Sequence, residues 1–117
     1  MSQHNDTGKK GEELSLDFLS RNGFAILHKN WRYRHWEIDV IAEKDGILHF
    51  IEIKTRTSES FGFPEENITK KKIQYLMNAA TEFLYINPEW KRIQYDALSV
   101  LLKNNNVEYY LIEDIFL

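Results

Sequence analysis

The spacing of apolar residues along the chain predicts two amphipathic helices, residues 8–21 and residues 69–85. Asn-Gly follows the first, as at many helix ends, and Thr69 is suited to cap the second. The apolar arc of the first helix consists of Leu14, Leu16, Phe18 and Leu19. Glu12 falls within this arc and should therefore point toward the rest of the protein. Residues 1–7 are polar and are expected to form a disordered tail.

Shorter apolar runs that are rich in β-branched and aromatic residues predict strands. They cover residues 24–28, a hairpin over residues 37–54, and residues 93–102 and 107–112. Residues 57–67 contain Ser, Gly and Pro and indicate a loop. The order helix–strand–strand–strand–helix–strand–strand predicts a single α/β domain, residues 8–117, with a mixed β-sheet flanked by helices.

The central hairpin brings charged residues together. Asp45-Gly46 lies between two β-rich runs and is typical of a two-residue turn. The register that this turn implies places Asp39 opposite Glu52, and Glu37 opposite Lys54. Glu37 and Lys54 have opposite charges and fit an ordinary cross-strand ion pair. Asp39 and Glu52 have like charges, which are destabilising when they lie directly opposite each other. The carboxylate pair therefore indicates a function.

Holding a divalent cation is the commonest use of such a pair. Mg²⁺ prefers oxygen ligands and keeps several waters, so Asp39, Glu52 and a substrate phosphate would suffice, and Mn²⁺ is an alternative. Lys54 would position or help to deprotonate an attacking water, or stabilise the charge of the transition state. Glu12 would add a ligand or orient one, and Glu37 would orient one too. The competing interpretation is that each carboxylate is a solvated surface group.

Charge and composition narrow the class of protein. The net charge is −3, which counts against a general nucleic-acid coat. Cations nevertheless flank the carboxylates and are predicted to bind a nucleic-acid backbone: Arg32, Arg34, Arg56, Lys70, Lys71 and Lys72. A solvated charge run remains the alternative for any single lysine. We expect DNA as the partner and magnesium as the cofactor.

The chain lacks cysteine, which excludes disulfides and thiolate metal sites. Its first residues lack the apolar core of a signal peptide, and no apolar run is long enough to span a membrane. The four histidines have no spacing typical of a zinc site. A cytoplasmic protein without a membrane partner is therefore expected.

Two further sets of residues leave alternatives open. Trp31, Tyr33 and Trp36 are suited to stacking on bases, although aromatic residues at strand spacing are more often core, which is expected for Trp31. Asp96 shares a face of its predicted strand with Leu98 and Val100 and is therefore expected to be partly buried. It is either a structural hydrogen-bond acceptor or a group that supports the metal ligands.

The candidate residues stand in a set of short motifs: Gly8-Lys9-Lys10-Gly11-Glu12, Glu37-Ile38-Asp39-Val40-Ile41, Ile51-Glu52-Ile53-Lys54-Thr55-Arg56, Phe61-Gly62 with Pro64, Thr69 with Lys72, and Tyr95-Asp96. With these motifs, residues 8–100 resemble the YraN-like family of bacterial proteins, which is assigned a restriction-endonuclease-like fold. That family is similar to the archaeal Holliday-junction resolvases, whose site combines a helix Glu, a strand Asp and Glu-X-Lys. The resemblance implies a site of Glu12, Asp39, Glu52 and Lys54, magnesium-dependent phosphodiester hydrolysis and a homodimer.

Three residues depart from the pattern of that family. Trp36 stands where Gly usually precedes Glu-X-Asp, Ile73 stands where Gln commonly follows the basic run, and Asn67 replaces a usual Ala. The four implied site residues are intact, while Trp36 would narrow access to the site.

Two functional hypotheses follow. The first is a nuclease that hydrolyses branched or flapped DNA with a bound metal. The second is a non-catalytic nucleic-acid-binding module of the same fold, which the acidic net charge favours. A purely structural interaction protein ranks last, because it leaves the opposed carboxylates and the lysine run unexplained.

Overall fold

The computed structural model describes residues 3–57 and 69–115, and for residues 3–7 the backbone alone. Its elements are α1 (Gln3–Arg21), β1 (Ala25–Tyr33), β2 (Trp36–Lys44), β3 (Ile47–Arg56), α2 (Lys70–Ile86), β4 (Ile93–Lys103) and β5 (Asn106–Ile112). The predicted order of helices and strands and the α/β class are confirmed. Residues 58–67 of the predicted loop, with the motif residues among them, lie outside the described residues.

The strands form one mixed sheet in the order β1-β2-β3-β4-β5. β1, β2 and β3 are joined by tight turns and are antiparallel, as are β4 and β5. β3 and β4 are parallel because the connection through α2 returns the chain to the same end of the sheet. The sheet thus has the mixed character that the sequence predicts.

The turn between β2 and β3 is formed as predicted. Asp45 and Gly46 have φ of 54° and 79°, the left-handed values that a two-residue hairpin turn favours. Lys44 pairs with Ile47 across it, which confirms the start of the predicted register.

β1 is longer and less regular than predicted. It continues past residue 28 to Tyr33, because Trp31 packs against the core beneath α2 and keeps the chain on the sheet. A bulge interrupts its pairing with β2 between Ile26 and His28, and Asn30 has a left-handed φ of 52°. The edge strand of the sheet is therefore distorted near its middle.

α1 packs on one face of the sheet through a stripe of buried residues, of which Gly11 and Ser15 are small. The backbone of α1 is helical from Gln3 rather than from residue 8, so most of the predicted tail belongs to the helix. The later turns of α1 pack on the sheet, and the helix extends from them toward its N-terminus. Gly11, Ser15 and Leu19 are buried, and a Cβ on Gly11 would overlap the side chain of Thr55 on β3. The α1-side core consists of Leu19, Phe24, Val40, Ala42, Ile51, Leu98 and Val100.

α2 covers the opposite face. The Thr69 hydroxyl accepts a hydrogen bond from the backbone N–H of Lys72, 3.1 Å, which confirms the predicted N-cap. The α2-side core consists of Ile38, Ile41, Leu48, Phe50, Leu76, Ala79, Ala80 and Phe83. Within the described part of the chain, neither helix has the length and hydropathy needed to cross a bilayer.

Candidate active site at the separation of two strands

The candidate site lies where β2 and β3 separate. Among the described residues, the ladder of these strands has the predicted register but ends at Val40–Ile51, so the next predicted pair, Asp39 with Glu52, is not formed. Asp39 Oδ2 instead accepts a hydrogen bond of 2.8 Å from the backbone N–H of Ile53. The side chain of Asp39 thus takes the position that a backbone acceptor would hold in a continuing ladder. We call this separation the β2–β3 fork.

Glu37 pairs with β1 rather than with β3. Its Oε2 atom accepts a hydrogen bond from Nε of Arg32, 2.8 Å, and the two residues are ladder partners. The alternative of a Glu37–Lys54 ion pair is therefore wrong, because β2 leaves β3 at the fork but stays paired with β1. The Glu37 carboxylate nevertheless lies close enough to Asp39 to help raise the pKa of that carboxyl, which fits its predicted place beside the metal ligands.

The electrostatics of the fork favour a proton or a cation on Asp39. Burial raises the pKa of Asp39 from 3.8 to about 7, and repulsion by Glu52 and Glu37 adds to the rise, while the Ile53 N–H opposes it. A divalent cation would reverse both main causes, since it replaces lost solvation and offsets the repulsion.

Two lysines face the carboxylates. Burial raises the pKa of Glu52, and the charges of Lys72 and Lys54 oppose that rise. Hydrogen-bond contact with Lys72, together with burial, lowers the pKa of Lys54. The sequence predicts Lys72 as part of a basic run and of a family motif but not as a neighbour of the carboxylates, and the crossover of α2 brings it to the fork.

Asp39 borders two cavities. The first has a volume of about 300 Å³ and is lined by Gly8, Glu12, Asn30, Asp39, Ile53, Lys54 and Thr55. The second has a volume of about 220 Å³ and is lined by Glu37, Asp39, Glu52, Lys72, Tyr75 and Leu76. Glu12 and Glu52 therefore approach Asp39 from different sides of the fork.

Glu12 is held by a residue that sequence reasoning missed. Asn30 Nδ2 donates a hydrogen bond of 2.8 Å to Glu12 Oε1, and the register of β1 against β2 places Asn30 opposite Asp39. Its left-handed φ is one that Asn adopts more readily than most residues. The sequence signal for this role is slight: an Asn within an otherwise β-rich run.

Asp39 and Glu52 are the residues that fit a divalent cation. Mg²⁺ commonly takes one or two protein carboxylates and completes its shell with substrate phosphate and water. Among residues 8–57 and 69–115, whose side chains the structure describes, no group of three or more His, Asp or Glu forms a ligand set by itself. Glu12, predicted as a third ligand, is hydrogen-bonded to Asn30 and lines the cavity that lacks Glu52. The two-carboxylate arrangement fits magnesium with a substrate-completed shell.

The lysine run at the start of α2 is divided by its helical positions. Lys72 lines the second cavity. The Lys71 ammonium lies 5.7 Å from the centre of the Tyr75 ring, and Lys70 is exposed. Of these three lysines, Lys72 is the one that the structure places at the fork.

The three arginines that the sequence predicts to bind a nucleic-acid backbone lie in different surroundings. Arg32 is engaged with Glu37. The Arg34 guanidinium lies 5.5 Å from the centre of the Tyr33 ring at the exposed turn between β1 and β2. Within the described residues, the buried Nε and Nη1 atoms of Arg56 have no hydrogen-bond partner.

Asp96 has a structural set of contacts. It is fully buried, and its Oδ2 atom lies 2.6 Å from Nδ1 of His49. Its other oxygen accepts hydrogen bonds of 2.9 Å from the Gln94 side chain and from the backbone N–H of Asp114. It lines neither fork cavity. These contacts favour the structural alternative, in which Asp96 fixes the C-terminal segment to the sheet.

Comparison with known proteins places the chain in a family. Residues 11–100 match the model of the Uncharacterised protein family UPF0102. A UPF0102 protein of Flavobacterium psychrophilum is 40% identical over 116 residues, covering 99% of this chain and 98% of the relative. A UPF0102 protein of Clostridium perfringens is 39% identical, covering 95% and 93%. Another, from a Sulfurihydrogenibium species, is 41% identical and covers 86% of each chain. The matched region contains every residue of the fork, and the chain belongs to the UPF0102, or YraN-like, family.

Proposed function

We propose that this protein is a metal-dependent endonuclease that hydrolyses phosphodiester bonds in branched or flapped DNA. In this proposal the mixed sheet with α1 and α2 on its two faces is a variant of the restriction-endonuclease-like fold. The observation that carries the proposal is the β2–β3 fork, which gathers Asp39, Glu52, Lys54 and Lys72. Gathering like-charged carboxylates raises their pKa values and costs stability, which is a common property of functional sites.

The roles follow from the positions of the side chains. Asp39 and Glu52 would hold Mg²⁺ or Mn²⁺, and the bound metal would polarise the phosphate and lower the pKa of a water molecule. Lys72 would donate to a phosphate oxygen. Lys54, whose pKa is lowered by contact with Lys72, is the better placed of the two lysines to orient a water and accept its proton. Glu12 would orient a water molecule in the first cavity.

A non-catalytic nucleic-acid-binding module is the second candidate. It is favoured by the position of Glu12, which is hydrogen-bonded to Asn30 and lines the first cavity with Asp39. Glu52 lines the second cavity with Asp39. The three predicted metal ligands therefore do not line one cavity together. In that case the lysines would bind phosphate without hydrolysis.

The test is cleavage of labelled four-way junction, flap, single-stranded and duplex DNA with Mg²⁺ or Mn²⁺. We expect the native protein to cut the branched or flapped DNA. Asp39→Asn and Glu52→Gln should each lower the rate by more than about 100-fold, because each removes a metal ligand. Asp45→Asn is the matched control, since its carboxylate lies in the exposed turn at the far end of the same hairpin.

The outcomes separate the two candidates. Metal-dependent cutting that is lost in both fork variants and kept in the control supports the nuclease. Tight binding without cutting under any metal supports the binding module. Cutting that survives in both fork variants would overturn the assignment of the site.

A further inference from the structure

Beside the second cavity lies a row of four aromatic side chains that the roles above do not use. The Tyr75 ring meets the His35 ring edge-on at 6.3 Å, and His35 lies 5.1 Å from Trp36. Trp36 in turn is stacked near-parallel on Tyr33 at 6.3 Å. We call these four residues the aromatic row. It joins the first turns of α2 to the turn between β1 and β2.

The row is continuous with the fork. Tyr75 is part of the wall of the second cavity, next to Glu52 and Lys72. Tyr75 is 42% exposed and is not one of the residues through which α2 packs on the sheet. His35 is exposed at the turn. A ring surface therefore leads from solvent to the carboxylates.

Cations lie at both ends of the row. Lys71 lies over the ring of Tyr75, and Arg34 over the ring of Tyr33. A row of rings with a cation at each end suits a ligand that carries both flat, uncharged groups and phosphates. That chemistry is a nucleotide chain with its base faces open.

We infer that the aromatic row binds an unpaired DNA strand by stacking on its bases, and so directs the phosphate beside an unpaired base into the fork. The inference rests on the proposed function, because it names the substrate of the same site. In duplex DNA the base faces are covered by neighbouring base pairs, so the row would have no surface to contact.

The test measures binding rather than cleavage. A fluorescently labelled single strand and its fully paired duplex are titrated with the full chain in Ca²⁺, with gels to confirm that the DNA stays intact. 2-Aminopurine in the single strand reports stacking of a base directly. Tyr75→Leu removes the ring and keeps an apolar side chain at the cavity. Tyr85→Leu is the matched control, a tyrosine on the same helix that is 84% exposed and outside the row.

We expect Tyr75→Leu to weaken single-strand binding by roughly five-fold or more and to change duplex binding by less than about two-fold. Tyr75→Phe keeps the ring and should bind like the native chain. His35→Ala, at an exposed turn position where folding is not at stake, should also weaken single-strand binding selectively.

Each result decides the matter. Equal losses for both DNAs, no loss for either, or a loss in Tyr85→Leu as large as in Tyr75→Leu would overturn the inference and leave the cleavage assay to judge the nuclease. A selective loss in Tyr75→Leu and His35→Ala together with no cleavage would support the inference and overturn the hydrolysis. No binding to either DNA would overturn the inference, and the cleavage assay on branched and flapped DNA would still judge the nuclease.

Discussion

Replacing Asp39 by Asn tests the electrostatics of the fork without any substrate. The pKa of Asp39 is about 7 in the folded chain, against 3.8 for the free side chain. Between those values the folded protein keeps a proton that the unfolded chain has lost. The free energy of unfolding should therefore fall as the pH rises from about 4 to 7, and Asp39 should add no pH dependence outside this window.

The size of the effect follows from the same values. Each pH unit in the window costs about 1.4 kcal/mol, so the whole rise corresponds to at most about 4 kcal/mol. Asp39 retains some contact with solvent, which lowers the expected loss to about 2 kcal/mol. Asn keeps an oxygen that can accept the hydrogen bond from Ile53 and removes the charge. Asp39→Asn should thus be about 2 kcal/mol more stable than the native chain at pH 8, and about equal to it at pH 4.

Urea unfolding in EDTA, followed by tryptophan fluorescence from pH 4 to 8.5, measures this difference. The Asp45→Asn variant should keep the native pH dependence. Glu52→Ala should leave the metal-free protein as stable as before or more stable, because it removes a repulsion. The reasoning is refuted if Asp39→Asn and the native chain have the same pH dependence, or if Glu52→Ala is strongly destabilised in EDTA. Added Mg²⁺ should stabilise the native chain more at pH 8 than at pH 5.

Two other substitutions test how the site is positioned. Asn30→Gly keeps the left-handed backbone but removes the amide that donates to Glu12. We expect an unchanged melting temperature and roughly ten-fold slower cleavage. A native cleavage rate would show that Glu12 does not need the hydrogen bond from Asn30. Gly11→Ala should lose about 1–3 kcal/mol of stability in urea, because the new Cβ overlaps Thr55. Gly8→Ala, at a position with open space, should keep or gain stability, and equal behaviour of the two alanine variants would contradict the packing argument.

The parts of the structure that sequence predicts best depend on local chemistry. Asp45-Gly46 specifies its turn because both residues accept a positive φ, and the turn then determines the register up to Val40–Ile51. Thr69 is equally local, since its hydroxyl caps the helix that it precedes. The same register places Asp39 and Glu52 one step further on, beyond the last pair of the ladder.

The parts that sequence does not predict depend on distant contacts. Periodicity cannot reveal that β2 pairs with β3 only from Val40 onward, because both strands remain strands with other partners. Lys72 reaches the fork through the packing of α2 on the sheet, and Asn30 reaches Glu12 through the packing of α1. Neither long-range contact leaves a pattern in the spacing of residues.

The distortion of β1 also affects how this protein meets other copies of itself. β1 is an edge of the sheet, and a long flat edge invites a strand from another chain to extend it. The bulge after Ile26 and the left-handed Asn30 break the row of outward N–H and C=O groups into short pieces. Lys29 and Arg32 add exposed charge along the same edge. The backbone irregularity that orients Glu12 therefore also protects the sheet from edge-to-edge aggregation.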